Sequence, residues 1–444
     1  MNATLNSRLN PRYCPPFASA LARLTVLLGV LYCLAPLYTR AQAPVLNLDV
    51  NEYVCGSSLE VTNNTVAGSH QWDFCLQDME ANSASNNVLT SINIRAMDSD
   101  AIIESTGNVH VFFTAQTGGN NITSYTLGPD GNTFVAQTTY NAQTIGFALV
   151  GCDAVIDQIT GNRHLFFVSV DNRRVGRLDF GNSFSNTPTV TNLGDIGGNL
   201  TNTGWGLKIS YINSKYYMVV GTTSTTAQIY TFADNLSSAL SLVRTITVSS
   251  SATLNNYQLT KVGGEYFLVG VSNGFTGYRI IDLGTAIESG TESFLNVSNS
   301  NLAAPTFSTL VREGNKHYLM VARGSNNFHK VSLGTDLMNQ GDDAISTLTT
   351  TTMRHFGISS PVGINNSLCF YAASDNVPDA PLVRISFSAN CGSSTQANQA
   401  APSQVSLTGT GSRLIQYQAC NDGFRCRDTV ISVTALQAPT ASFS

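Results

Sequence analysis

Three observations in this sequence predict an all-β protein built around a six-bladed propeller. A strand ending in a bulky apolar residue followed by a small one recurs six times, with its apolar mark at residues 127, 180, 232, 283, 333 and 387. The intervals are 53, 52, 51, 50 and 54 residues, a period that means stacked supersecondary units. A turn followed by an apolar strand recurs in phase with that mark. The sixth unit ends without a fourth strand, and a strand-like segment at 87–94 precedes the first unit.

The register strand reads Tyr125-Thr126-Leu127-Gly128 in the first unit and Arg177-Leu178-Asp179-Phe180-Gly181 in the second. It continues as Ile229-Tyr230-Thr231-Phe232-Ala233, Ile281-Asp282-Leu283-Gly284, Val331-Ser332-Leu333-Gly334 and Ile385-Ser386-Phe387-Ser388. The turns preceding the apolar strands are rich in Gly and Asn, as hairpins require: Thr106-Gly107-Asn108, Thr160-Gly161-Asn162, Asn213-Ser214, Gly263-Gly264, Glu313-Gly314-Asn315 and Asn365-Asn366. Each unit therefore supplies an inner strand, a doubly buried strand, the register strand and an outer strand, which is one blade. An open stack would leave an apolar face and edges exposed, so six blades are expected to close into a ring. Segment 87–94 resembles outer strands such as 188–193 and is expected to pair onto blade six. An open-ended solenoid is the alternative.

Composition narrows the function classes. Only 11% of the 444 residues are charged against 42% hydrophobic, with 36 Gly, 16 Tyr and 21 Phe, which excludes a disordered or polybasic chain. The first 41 residues hold Arg8, Arg12, Arg23 and Arg40 and no acid, so the remainder carries 19 basic and 28 acidic groups. That balance excludes binding to nucleic acid by counterion release. The apolar run 24–37 is too short to span a bilayer, and small residues follow at Ala41 and Ala43. A signal peptide over 1–41 and an exported, extracellular or cell-surface location are expected, with no membrane span in the mature chain; an uncleaved anchor is the alternative. Seven cysteines would remain: Cys55, Cys75, Cys152, Cys369, Cys391, Cys420 and Cys426. Outside the cytosol, neighbouring pairs tend to oxidise.

Two pieces flank the repeats. The first runs from Asn51 through Cys55-Gly56 to His70-Gln71-Trp72-Asp73-Phe74-Cys75, and the second from Ser412 through Tyr417 and Cys420 to Cys426-Arg427-Asp428-Thr429-Val430-Ile431-Ser432-Val433. The first resembles the opening half of a PKD domain, an immunoglobulin-like sandwich, and the second resembles its closing half. Neither half can bury its apolar face alone, because a sandwich needs both sheets. The resemblance implies a propeller (77–389) inserted into one PKD-like sandwich (44–75 and 391–434). It also implies a Cys75–Cys391 disulfide at the neck and a Cys55–Cys426 bond within the sandwich, with Cys420–Cys426 as the rival. Cys152 and Cys369 fall in blades two and six and are expected as buried thiols. Residues 438–444 resemble the first strand of a further PKD module. The whole arrangement is similar to exported Bacteroidetes-type proteins with PKD arrays, often linked to surface display or gliding.

Catalytic motifs are scarce. No HExxH, G-x-S-x-G, P-loop or EF-hand loop occurs. His110, His164, His317 and His329 stand at strand edges or beside the register strand, where a structural role is expected. Gly128-Pro129-Asp130-Gly131-Asn132 reads as a hairpin turn. Asp98 with Asp100, and Asp153 with Asp157, lie on or beside inner strands and are expected as solvated channel carboxylates. They could contribute to a Ca²⁺ site only with further ligands, since calcium takes six to eight oxygens. Trp205 enters blade three near the channel rim, where an exposed ring could stack on a sugar and a buried one would join the core. The reading that follows is a non-enzymatic adhesion or recognition protein with a glycan or protein ligand on a propeller face. A polysaccharide- or lactone-acting propeller enzyme with a channel site and a spacer in a surface array are the alternatives.

Overall fold

The computed structural model describes residues 48 to 436 with interruptions, the longest being 197–203, 350–356, 389–395 and 398–404; residues 1–47 and 437–444 lie outside it. Six four-stranded antiparallel sheets form the propeller. Blade one comprises Ala96–Ile103, Val109–Ala115, Asn121–Leu127 and Phe134–Asn141. Blades two to five begin with the inner strands Leu149–Ile156, Gly204–Ile212, Asn256–Val262 and Pro305–Glu313, and each runs outward in chain order. Blade six takes Val362–Ile364, Ser367–Ala373 and Ala380–Ser388 from the end of the ring, and its outer strand, Ser85–Ile92, from before the beginning. The expected closure is therefore formed, with Ser386 opposite Ser85 and Ala380 opposite Ile92.

Packing between blades explains the sequence pattern. The second strands of blades one and two, Val109–Ala115 and Arg163–Ser169, are buried along their whole length, because a neighbouring blade covers each face. Among the described residues, the buried hydrophobic side chains of the ring accordingly gather in clusters at each of the six seams. Phe112, Ile122, Leu165 and Phe167 join blades one and two, and Phe267, Val269, Leu319 and Val321 join blades four and five. Backbones approach closely at the blade three–four seam, where a Cβ on Gly206 or Gly221 would strike the carbonyl of Asn255. The two-residue turn Asn213-Ser214 has φ of +52° and +62°, the conformation that matches the twist of a tight hairpin.

The closing segment starts earlier than residue 87. Met79, fully buried, fills the place at the blade five–six seam that Phe184 and Leu236 fill in loops between third and outer strands elsewhere. Its N–H donates to Glu313 Oε1 at 3.4 Å, as the N–H groups of Phe184 and Leu236 donate to Glu104 (2.9 Å) and Asp157 (3.4 Å). An acidic residue in or beside one blade's first hairpin thus anchors the next blade's apolar plug three times.

Strands from before and after the ring share one five-stranded sheet, ordered Tyr53–Cys55, Arg425–Leu436, Gly411–Asn421, Ser69–Leu76 and Gln396–Ala397. Trp72 lies opposite Tyr417, and Ile415 opposite Ile431; Ile415 and Tyr417 are fully buried. Two short pairs accompany it, Leu48–Val50 with Val61–Asn63 and Ser58–Leu59 with Val405–Ser406. This register corrects the Cys55–Cys426 expectation. Cys55 lies opposite Leu436, ten residues along the strand from Cys426, a separation of roughly 33 Å where a disulfide needs its Cα atoms within about 7 Å. Cys426 instead lies opposite Cys420. Cys391 is outside the described residues, whereas Cys152 and Cys369 are buried thiols outside any disulfide.

Candidate functional site

The chemically densest place among the described residues is a polar hub on the inner strands of blades one to three. Asp98 and Asp100 come from blade one, Cys152 and Asp153 from blade two, and Lys208 from blade three. The expectation of solvated channel carboxylates fails here. Asp98, Asp100 and Asp153 are 1%, 0% and 5% exposed, because the inner strands pack directly on one another.

Each carboxylate bridges a seam. Asp98 Oδ2 accepts from the N–H of Cys152 at 3.0 Å, and Asp100 Oδ2 from that of Ala154 at 2.7 Å. Asp100 Oδ1 accepts from the N–H of Ser360 in the connection to blade six at 2.8 Å, and Asp153 Oδ2 from that of Ile209 in blade three at 2.7 Å. Neutral groups continue the pattern. Ser210 Oγ donates to the carbonyl of Leu259 at 2.7 Å, while Asn256 and Gln258 accept from the N–H groups of Ser308 (3.2 Å) and Leu310 (3.1 Å). The inner polar residues are therefore rivets between adjacent blades, and satisfying buried N–H groups is what makes them stabilising.

Lys208, 3% exposed, supplies the positive charge that this buried acid requires. Its ammonium lies 3.1 Å from Asp153 and 3.7 Å from Asp100, and donates to the Cys152 carbonyl at 3.5 Å. Burial pushes the Asp98 and Asp153 carboxyls up to about 7 against the attraction of Lys208. Burial also disfavours the Lys208 ammonium, but Asp100, Asp153 and Asp98 outweigh it and hold the group above its ordinary range. Burial, reinforced by the Asp98 and Asp100 charges, raises the Cys152 thiol well above its usual value, as in an inert rather than a reactive cysteine.

Asp157 does not join Asp153. It closes the first hairpin of blade two, accepting from the N–H of Ile159 at 2.9 Å and from Thr160 Oγ1 at 2.7 Å, and it is fully buried. The four aspartates therefore split between two jobs, and no group of three or more His, Cys, Asp or Glu among the described residues is arranged to hold a metal ion. Trp205 is half-buried against a cluster containing Met97, Val150, Val168 and Val220, with its indole N–H shielded and unpaired. Core packing accounts for it.

Two further buried polar groups carry no motif. His164 Nδ1 meets Asp179 at 2.7 Å, and Arg177 clasps the same carboxylate while its Nη1 donates to the Leu236 carbonyl at 2.6 Å. Despite partial burial, His164, Arg177 and Thr191 hold the Asp179 carboxyl down at about 2. Glu104 joins His110 at 3.2 Å and Arg163 at 3.6 Å. Lys208 was discernible as the one cation in the apolar run Gly206-Leu207-Lys208-Ile209, and the alternation Arg177-Leu178-Asp179 was a comparable signal.

No protein-family model matches this chain, and no curated protein matches it. Among solved structures, a protein of unknown function from Dyadobacter fermentans is 10% identical, covering 69% of this chain and 99% of its own at a TM-score of 0.49. The catalytic domain of the GH62 α-L-arabinofuranosidase of Coprinopsis cinerea is 12% identical, covering 72% of this chain and 98% of its own, TM-score 0.41. An α-L-arabinofuranosidase from Podospora anserina, solved in complex with cellotriose, is also 12% identical and covers 71% and 96% at a TM-score of 0.40. At that distance the likeness assigns no chemistry to this chain, whose six-bladed all-β propeller is established by its own strand pairing.

Proposed function

We propose that this chain is a non-enzymatic exported protein, displayed at the cell surface or released, whose propeller offers a rigid face to a glycan or protein ligand. The observation that carries this reading is the use of the inner-strand acids. Asp98, Asp100 and Asp153 are buried and bonded to backbone N–H groups of neighbouring blades, so they serve the frame. An acid–base pair acting on a substrate needs geometric access to the bond it cleaves. The PKD-like reading of the flanks belongs to the same proposal. It is supported by the pairing of Ser69–Leu76 with Gly411–Asn421 across the whole intervening ring, and a closed ring suits insertion because its ends lie together. Export rests on the basic leader and the short apolar run 24–37, and a place in a PKD array on residues 438–444.

The test is a glycan and protein-ligand binding screen run beside hydrolase and lyase assays on polysaccharide and lactone substrates. Binding without turnover is the expected result. Robust turnover abolished by Asp153→Asn or Asp100→Asn would replace this reading with an enzymatic one.

A further inference from the structure

We infer that the arm preceding blade one is exchangeable, so that a second copy of this chain can complete blade six with its own residues 79–92. The pairings make the arm a separable body. Among the described residues, its strands from Tyr53 to Ile92 that pair outside the arm do so with residues 380–436: Ser85–Ile92 with Ala380–Ser388, Ser69–Leu76 with Gly411–Asn421 and Gln396–Ala397, Tyr53–Cys55 with Arg425–Leu436, and Ser58–Leu59 with Val405–Ser406. Met79 adds its bonds to Glu313 and Lys330. Transfer of the arm to another copy preserves every one of these contacts.

The connector supplies the bias. From outer strand to next inner strand the other five blade junctions have 142–148, 195–203, 248–255, 299–304 and 350–361 available, six to twelve residues each. Blade six reaches blade one through three, 93–95. Crossing three strand spacings takes roughly 14 Å, and the four steps from Ile92 to Ala96 reach at most roughly 14 Å fully extended. In residues, this connector is the shortest of the six junctions. A short hinge between an arm and the body it pairs with favours exchange, because the same strand pairings form between copies.

The experiment uses two full-length chains with different tags, one carrying Asn87→Cys and the other Arg384→Cys, residues that lie opposite each other in blade six. They are unfolded together under reducing conditions, refolded over a range of concentrations and oxidised. An 87–384 cross-link between the two tags, identified by peptide mass spectrometry and rising with concentration, is expected. Inserting four flexible residues between Arg95 and Ala96 in both chains is expected to lower it by roughly tenfold or more. Native mass spectrometry of unsubstituted light and heavy-isotope chains refolded together gives an independent reading, with mixed dimers expected. Absence of both the inter-chain link and mixed dimers would overturn the inference, as would a link undiminished by the insertion in chains that retain the native circular dichroism spectrum.

Discussion

Lys330 Nζ donates to the carbonyl of Met79 at 2.6 Å, as Arg177 Nη1 donates to that of Leu236 at the same distance. Lys330 also stands over the Phe387 ring at 5.4 Å, as Arg177 stands over Phe166 at 5.9 Å. A residue remote from blade six in sequence thus receives the treatment given to a residue of the ring itself. Removing the fully buried Met79 side chain should cost about 2–5 kcal/mol, the range for large-to-small core changes. Urea unfolding of Met79→Ala should show the loss. A change under roughly 0.5 kcal/mol would mean that the plug is incidental to closure.

Lys208 offers a sharper test of the hub. Replacing it with Met leaves Asp98, Asp100 and Asp153 buried without their cation, and breaking a buried ion pair from one side costs about 3–5 kcal/mol. Adding Asp153→Asn to Lys208→Met removes one of the stranded charges and should recover part of the loss. A double variant no more stable than Lys208→Met would show that the two groups are not coupled.

The hub also fixes a sign for pH. Asp98 and Asp153 ionise near 7 when folded, against 3.8 ordinarily, so between about pH 4 and 7 the folded chain holds more protons than the unfolded one. Their contribution to stability therefore falls as pH rises through that window. His317 and His329 act oppositely. Burial, helped by Arg312 and Arg323 respectively, pushes them down to about 4, so their contribution is present above pH 6.5 and lost toward pH 4. The opposition makes the wild-type curve a poor reporter, and the comparison with Asp98→Asn is the informative one. Relative to wild type, that variant should gain stability steadily from pH 4 to 7 in denaturant titrations; a constant offset would exclude Asp98 as a titrating group.

Much of the ring was legible because blades repeat backbone demands. The period, the Gly- and Asn-bearing turns and the spare strand before blade one all answer to hydrogen-bond pairing, which the residues on both sides of a turn encode locally. The hub was not legible for a reason of the same kind. Asp98 and Asp153 stand on strands whose alternation says which face a side chain takes, but the N–H groups they meet belong to residues 54 and 56 positions away, on another blade. Met79 was missed because the plug positions share only apolarity: Phe184, Leu236 and Met79 have no common side-chain shape, and the acids that anchor them, Glu104, Asp157 and Glu313, differ in length.

The flanking sheet yields a prediction about oxidation. Arg425–Leu436 and Gly411–Asn421 pair along eleven positions, and that register sets the Cα atoms of Cys420 and Cys426 opposite one another. Cys55 pairs at the far end of the same strand, beside Leu436. A directly opposed pair on antiparallel strands meets the distance requirement of a disulfide, whereas a partner ten residues away cannot reach without unpairing the strand. Peptide mapping of oxidised, unreduced protein should therefore find Cys420 joined to Cys426, and reduction should loosen the hairpin with little effect on the propeller. The Cys420→Ser, Cys426→Ser double variant should retain the ring's cooperative unfolding while its flanking sheet becomes more open to proteolysis near residue 423. A Cys55–Cys426 peptide recovered in quantity would mean that the last two strands pair in a register other than the one described.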